Sequence, residues 1–311
     1  MEEPLAIGID MGGTTIKTAV VQGNRVLFKA PPIDTRAYAT AQEAFVDIGA
    51  LVAELRRSYP AIQAVGMGIP GFVNPLAGMT HILTNVEGWN NLPIRDMLEE
   101  ATGLPAAIDN DANCMAYAEW KQGAGRGMDN LVCLTLGTGV GGGIIVDGHM
   151  LRGFMGIAGE LGQMSIDYRG RRGYYNNAGA LEDYIGHNEF TADAVARYAE
   201  AGITKTAAEC NPLALELAAK AGDAVALACY DDFARKLATC LVTCHYLLNP
   251  EAFVIGGGLS KAGDLLFAPL RRYMGEQINE RYFSRIKLLP AAFGNEAGLI
   301  GAAQQGLNVM L

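Results

Sequence analysis

The residues in this chain that could do chemistry on an anion or a hydroxyl are clustered glycines, the threonines among them, and single carboxylates at the ends of apolar runs. The stretch "LTLGTGVGGGIIVDGH" satisfies the G-x-G-x-x-G spacing at Gly137, Gly139 and Gly142. A dinucleotide fingerprint needs such glycines to open a helix whose N-terminus meets the pyrophosphate. β-branched residues and a hairpin signal follow Gly143 instead, so the match fails on context. No G-x-x-x-x-G-K-[ST] loop occurs either. A second cluster, "IDMGGTT", has the same strand-then-turn setting, and a third, "IGGG", covers Gly256 to Gly258. Such turns offer unobstructed backbone N–H groups to an anion. One alone reads as a tight structural hairpin, whereas two in equivalent places plus a third point to a nucleotide held between two lobes.

The elements that must position these residues run through the same order twice. "LAIGID", "MGGTT", "IKTAVVQ", "GN" and "RVLFKA" read as strand, turn, strand, hairpin turn and strand. "NLVCLTL", "GTGVGG", "GIIV", "DG" and "HMLRG" repeat it. An amphipathic helix is expected over roughly residues 40–58, followed by the strand "AVGMGIP". "PAAIDN" is a strand that delivers the helix "DANCMAYAEWKQG", with Asn110 or Asp111 in position to cap it. Long helical stretches are expected between about 190 and 248, then the strand "AFVIGGG" and the single helix "LSKAGDLLFAPLRRYMGEQI". The strand "IKLLPAA" and the helix "EAGLIGAAQQGL" close the chain.

Length and charge bound the function. At 311 residues two domains are expected, and half the residues are hydrophobic. A formal net charge of -9 argues against a nucleic-acid partner, and the knot of Arg169, Arg171 and Arg172 reads as a solvated loop. No leader peptide and no apolar run of membrane-spanning length is evident, so a cytoplasmic protein without a membrane partner is expected. The six cysteines read as reduced and buried. Cys240 and Cys244, beside His245, have the spacing of a metal pair, but one face of a packed helix accounts for them better.

Taken together, "GIDMGGTTIK", "IDNDAN", "LGTGVGGGI", "GIAGELGQ", "GALE" and "VIGGGLS" resemble the ROK sugar kinases, from about residue 5 to the C-terminus. That resemblance implies an α/β, two-lobed actin-like ATPase (ribonuclease H-like) fold with a duplicated βββαβα core. It implies a smaller lobe over 1–115, with the 295–311 helix packing back on it, and a larger lobe over 116–294. The first strand begins within ten residues, leaving no room for the helix-turn-helix of the family's repressors, so the kinase branch is expected.

By the same resemblance Gly12, Gly13, Thr14, Thr15, Thr138, Gly139, Gly141 and Gly142 face the phosphates of ATP, while Gly256, Gly257 and Gly258 approach the adenosine. Asp10 would act on Mg²⁺ through water; the bland alternative is a turn aspartate bonding nearby amides. Asp111 would be the general base that takes a proton from a sugar hydroxyl, against the alternative of a plain N-cap. Gly71, Asn85, Asn110, Glu160, Gln163 and Glu182 would bind the sugar, with Trp89 either lining the cleft or in the core. The family's zinc ligands are missing: Gln163 stands in the histidine place, and Gly173, Tyr175 and Ala180 where cysteines would be, so no zinc is expected. Tyr168, Tyr174 and Tyr175, packing with Asn176 and Asn177, are then expected to hold the 163–182 loop. The implied activity is ATP-dependent phosphorylation of a hexose at C6, glucose first, by a homodimer. Kinases of N-acetylmannosamine, N-acetylglucosamine, fructose or allose remain open, as does a non-catalytic sugar sensor; a nicotinamide enzyme rests only on the failed glycine match.

Overall fold

The computed structural model describes residues 3–83, 86 and 88–310. The backbone divides into two units, one of residues 1–127, 149–159 and 292–311, the other of 128–148 and 160–291.

The sheet of the first unit has the strand order Arg25–Lys29, Thr15–Gln22, Leu5–Met11, Ile62–Ile69, Ala106–Asn110. The first three form an antiparallel meander, and the last three run parallel. The parallel strands are nearly continuous apolar runs, as a sheet covered on both faces requires. One face is covered by the helix Ala41–Ser58, which starts where the Thr40 side chain accepts the Glu43 N–H and buries Ile48, Val52 and Leu55 at helical spacing. Trp89 packs against this helix, 5.4 Å from the Phe45 ring centre, and is 2% exposed, so it belongs to the core.

On the other face the helix Ala297–Asn308 meets the strands backbone to backbone. A Cβ added at Gly8 would lie 2.0 Å from the Leu299 carbonyl oxygen, and one at Gly66 only 1.7 Å from that of Ala302. The same helix lies on Asp111–Gln122, where a Cβ at Gly301 would lie 1.7 Å from the Cys114 carbonyl oxygen and Ala118 packs with Leu299, Ile300 and Ala303. This packing extends the first unit to Gly127, past the boundary expected at 115.

In the second unit the strands Val140–Val146, Leu131–Leu136, Ala252–Gly256 and Lys287–Pro290 lie side by side in that order, the first pair antiparallel and the others parallel. The helical region expected between 190 and 248 is three helices, His187–Glu200, Pro212–Lys220 and Ala224–Leu248. Asn211 and Asp223 cap the second and third with their side chains, and Gly202 and Gly222, at φ +76° and +88°, break the runs before them. Likewise the segment from Leu259 is a short 3₁₀ turn, Leu259–Ala262, and a separate helix, Asp264–Gln277, divided by Gly263 at φ +61°. The hairpin Phe72–Asn74 with Met79–Ile82 and the helix Ile94–Thr102 have no counterpart among the expectations, because runs so short carry too few repeats of either period. Among the described residues no helix is long and apolar enough to cross a membrane.

Gly66→Ala is expected to destabilise the protein by about 1–3 kcal/mol, the usual cost of overpacking. The shift of the urea unfolding midpoint against wild type measures it.

Candidate active site

Asp10 stands at the end of the first strand, opposite Lys17 in the hairpin register, and the Lys17 ammonium donates to its Oδ2 at 3.0 Å. Between them the Gly12 to Thr15 turn is fixed by the Gly12 N–H on the Thr15 carbonyl at 2.8 Å. Thr35 clamps it from outside, its N–H on the Thr14 carbonyl at 3.0 Å and its hydroxyl on that of Gly12 at 3.1 Å. A Cβ at Gly298 would sit 3.3 Å from Asp10 Oδ1, so the first turn of Ala297–Asn308 abuts the carboxylate. The unpaired amides and partial positive charge of a helix start favour an anion there.

At the junction of Ala106–Asn110 with Asp111–Gln122, capping falls to Asn110. Its Oδ1 accepts the N–H groups of Ala112 at 2.9 Å and Asn113 at 3.2 Å, while its Nδ2 donates to the Gly71 carbonyl at 3.0 Å. Asp111, whose Oδ1 accepts only the Ala112 N–H among these amides, is thereby relieved of the capping role. Burial, and next the charge of Asp10, push its carboxyl up to about 6, against the opposing pull of the Ala112 N–H. Asp109, two residues earlier and 1% exposed, is committed elsewhere: Oδ1 takes the Asn110 N–H and Asn113 Nδ2, and Oδ2 takes Arg152 Nη2 at 2.7 Å. Gly71, at φ +88° and with its Cβ direction 2.4 Å from the Ile82 carbonyl oxygen, is required by the backbone. The first unit thus gathers Asp10, Asn110, Asp111 and Gly71; Asn85 lies outside the described residues.

In the second unit the glycine bend is shorter than expected. Leu136 pairs with Val140, and the ladder continues through Gly141 with Thr135 and Gly142 with Leu134, so Gly141 and Gly142 are strand residues and only Gly137, Thr138 and Gly139 turn. The antiparallel partner supplies hydrogen bonds that override the turn preference of the glycines. Glu182 lies over this bend: its Oε2 accepts the Val140 N–H at 2.7 Å, and a Cβ at Gly139 would sit 2.3 Å from that oxygen. Its Oε1 accepts from Gln163 Nε2 at 3.3 Å. Burial raises the Glu182 carboxyl above the usual range, as do the charges of Asp183 and Glu189, while the Val140 N–H opposes. Glu160, half-buried, precedes the turn Leu161–Gln163 and accepts the Gln163 N–H on its carbonyl at 3.0 Å. The third glycine cluster reaches the same bend. Gly256 pairs with Thr135, Gly257 turns at φ +86° with its Cβ direction 2.3 Å from the Leu136 carbonyl oxygen, and Gly258 has open space where a side chain would go.

The 163–182 loop is held only in part as expected, through Asn177 but not through Tyr168 and Tyr174. Tyr168 and Tyr174 are 76% and 74% exposed, too open to supply packing, although Tyr174 meets the Tyr175 ring edge-on. Backbone bonds clip the loop to itself: Ile166 N–H to the Gly179 carbonyl, Gly179 N–H to Arg171, and Leu181 N–H to Met164. The Arg171 guanidinium stacks 4.2 Å from the Tyr184 ring centre and pairs with Asp193, and Asn177 Nδ2 donates to the Gln163 carbonyl at 2.8 Å. Four residues that matter to the site went unforeseen: Lys17, Thr35, Arg152 and Gly298. Lys17 was within reach, since the turn length sets the register opposite Asp10; the other three arrive from distant segments with no local signal.

The sequence profile of the ROK family matches residues 6–306. The chain is 35% identical over 314 residues to a glucokinase of Streptomyces coelicolor, covering 96% of each. It is 32% identical over 300 residues to a beta-glucoside kinase of Listeria monocytogenes, covering 94% of each. Among solved structures, a ROK family glucokinase from Streptomyces griseus, in complex with glucose and AMPPNP, is 31% identical with a TM-score of 0.81, covering 98% of this chain and 99% of that one.

Glu182→Ala removes the charged acceptor of the Val140 N–H, a bond of the kind worth about 1.5–3 kcal/mol. Hydrogen exchange at that amide is expected to speed up by about tenfold or more, while exchange in the strand Ala252–Gly256 stays as in wild type.

Proposed function

Because the chain belongs to the ROK family and is a sugar kinase with the actin-like ATPase fold, we propose that it transfers the γ-phosphoryl group of ATP to the C6 hydroxyl of a hexose, glucose being the first candidate. The observation that carries this reading is Asp111, a carboxyl freed from capping by Asn110 and pushed up to about 6. A base does most when its pKa approaches the working pH. As the hydroxyl oxygen attacks the γ-phosphorus and the bond to ADP breaks, Asp111 takes the hydroxyl proton. Phosphoryl transfer otherwise asks the protein for position and offset charge. The bends at Gly12 to Thr15 and Gly137 to Gly139 suit the phosphates, and the open Gly257 to Gly258 backbone suits the adenosine.

Asp10 fits a water-mediated Mg²⁺: it offers hard oxygen donors, is partly exposed, and stands where its charge disfavours that of Asp111. When bound, Mg²⁺ offsets the charge of the transferring phosphates. Lys17 holds Asp10 in place meanwhile. For the ring of sugar hydroxyls, Asn110 and Gln163 bring amides and Glu160 and Glu182 bring carboxylates, groups that donate and accept in fixed directions. The reading includes no zinc, since Gln163, Gly173, Tyr175 and Ala180 cannot make a nitrogen and sulfur shell.

The test is ADP release with ATP and Mg²⁺ across hexoses, N-acetylhexosamines and β-glucosides. Glucose is expected to be the fastest acceptor; binding without turnover for every sugar would make the protein a sensor. In Asp111→Ala, turnover is expected to fall by about two to four orders of magnitude with sugar affinity nearly unchanged. Wild-type kcat/KM should rise with pH through about 6 and level off above, because the base works deprotonated and its carboxyl is raised. A limb that persists unchanged in Asp111→Ala, with turnover retained, would assign the proton transfer to another group.

A further inference from the structure

The spacing of Cys240 and Cys244, one helical turn apart, is unused by the kinase reading. Both thiols are buried on one face of Ala224–Leu248, each 1% exposed. The structure brings a third sulfur to them from a different element. Met164 Sδ lies 3.7 Å from Cys240 Sγ and 3.9 Å from Cys244 Sγ, and accepts from both thiols. We infer that Cys240, Cys244 and Met164 form a three-sulfur binding site for a soft monovalent cation, Cu⁺ by preference.

The geometry suits that ion. A trigonal cation with metal–sulfur bonds of about 2.3 Å needs sulfurs about 4.0 Å apart, so the two edges through Met164 need only small adjustments. Two thiols and a thioether are the soft donors that select Cu⁺, whereas Zn²⁺ demands a fourth ligand and a tetrahedral shell. Among the described residues no group of three His, Cys, Asp or Glu could hold a metal ion, and it is the methionine that completes this set. Binding moves no electrons. Both thiols release their protons to solvent as they become ligands, and the charge of Cu⁺ offsets one of the two thiolates. Met164 is half-buried in the loop, whereas both thiols are buried.

The site also bears on the sugar loop. Met164 follows Gln163, and its carbonyl accepts the Leu181 N–H at 2.9 Å, one residue before Glu182. A cation anchoring the Met164 side chain to Ala224–Leu248 would tie down both ends of the contact between Gln163 and Glu182.

The reduced full-length chain is titrated with Cu⁺ against a competing chelator. Wild type is expected to retain one equivalent, with X-ray absorption showing three sulfurs at about 2.3 Å. Met164→Leu, close to isosteric, should weaken retention at least tenfold, and the double variant Cys240→Ala, Cys244→Ala should abolish it. No retained equivalent in wild type, undiminished retention in Met164→Leu, or an equivalent persisting in the double variant on Cys114, Cys133, Cys210 or Cys229 would each overturn the site. Should the double variant fail to fold, Met164→Leu and the absorption spectrum decide. Neither result depends on the ADP-release assay, so failure here leaves the kinase reading intact.

Discussion

Two carboxylates that repel each other, Asp10 and Asp111, are held in one neighbourhood by a helix that can reach them only because glycines let it. The strands bearing Gly8 and Gly66, and the helix bearing Cys114, touch Ala297–Asn308 without an intervening side chain. That contact sets the helix start against Asp10 and fixes the far side of Asp111–Gln122. In that setting burial first, and the charge of Asp10 next, raises the proton affinity of Asp111. Lys17 pairs with Asp10, while Asp111 is buried with only hydrogen-bond donors beside it, and its carboxyl is raised.

The second unit shows the same economy with one carboxylate. Glu182 spans the amide that ends the glycine bend and the side chain of Gln163, so two separate segments share one acceptor. Its buried position is tolerable because both oxygens have donors. The loop between those residues is stabilised by its own backbone ladder and by Arg171 on Tyr184 and Asp193.

Much of the fold was legible because period and punctuation are local. "IDMGGTT" and "LGTGVGG" could be recognised as bends between paired strands, and "IDN" as a strand end delivering a helix. Errors arose where several local solutions compete. Glycine is permissive enough to sit in a strand or a turn, so the length of the 137–139 bend followed from pairing with Thr135 and Leu134. Asn110 and Asp111 are both good caps, and the choice between them followed from where the Gly71 carbonyl lies. The tyrosines of the 163–182 loop looked like packing material, but apolar rings help only where other elements cover them, and here few do.

What the sequence by itself determined is the order of elements, the glycine bends, the carboxylates beside them and the missing zinc ligands, since each is written in residue type and short-range spacing. Only the tertiary structure decided which carboxylate is a structural ion pair, which carboxyl is raised by burial, and which sulfurs share a neighbourhood. Asp109 with Arg152, Asp10 with Gly298, and Met164 with Cys240 are joined across 43, 288 and 76 positions of chain. Proton affinity and ligand geometry depend on charges and donors within a few ångströms, whatever their distance along the chain.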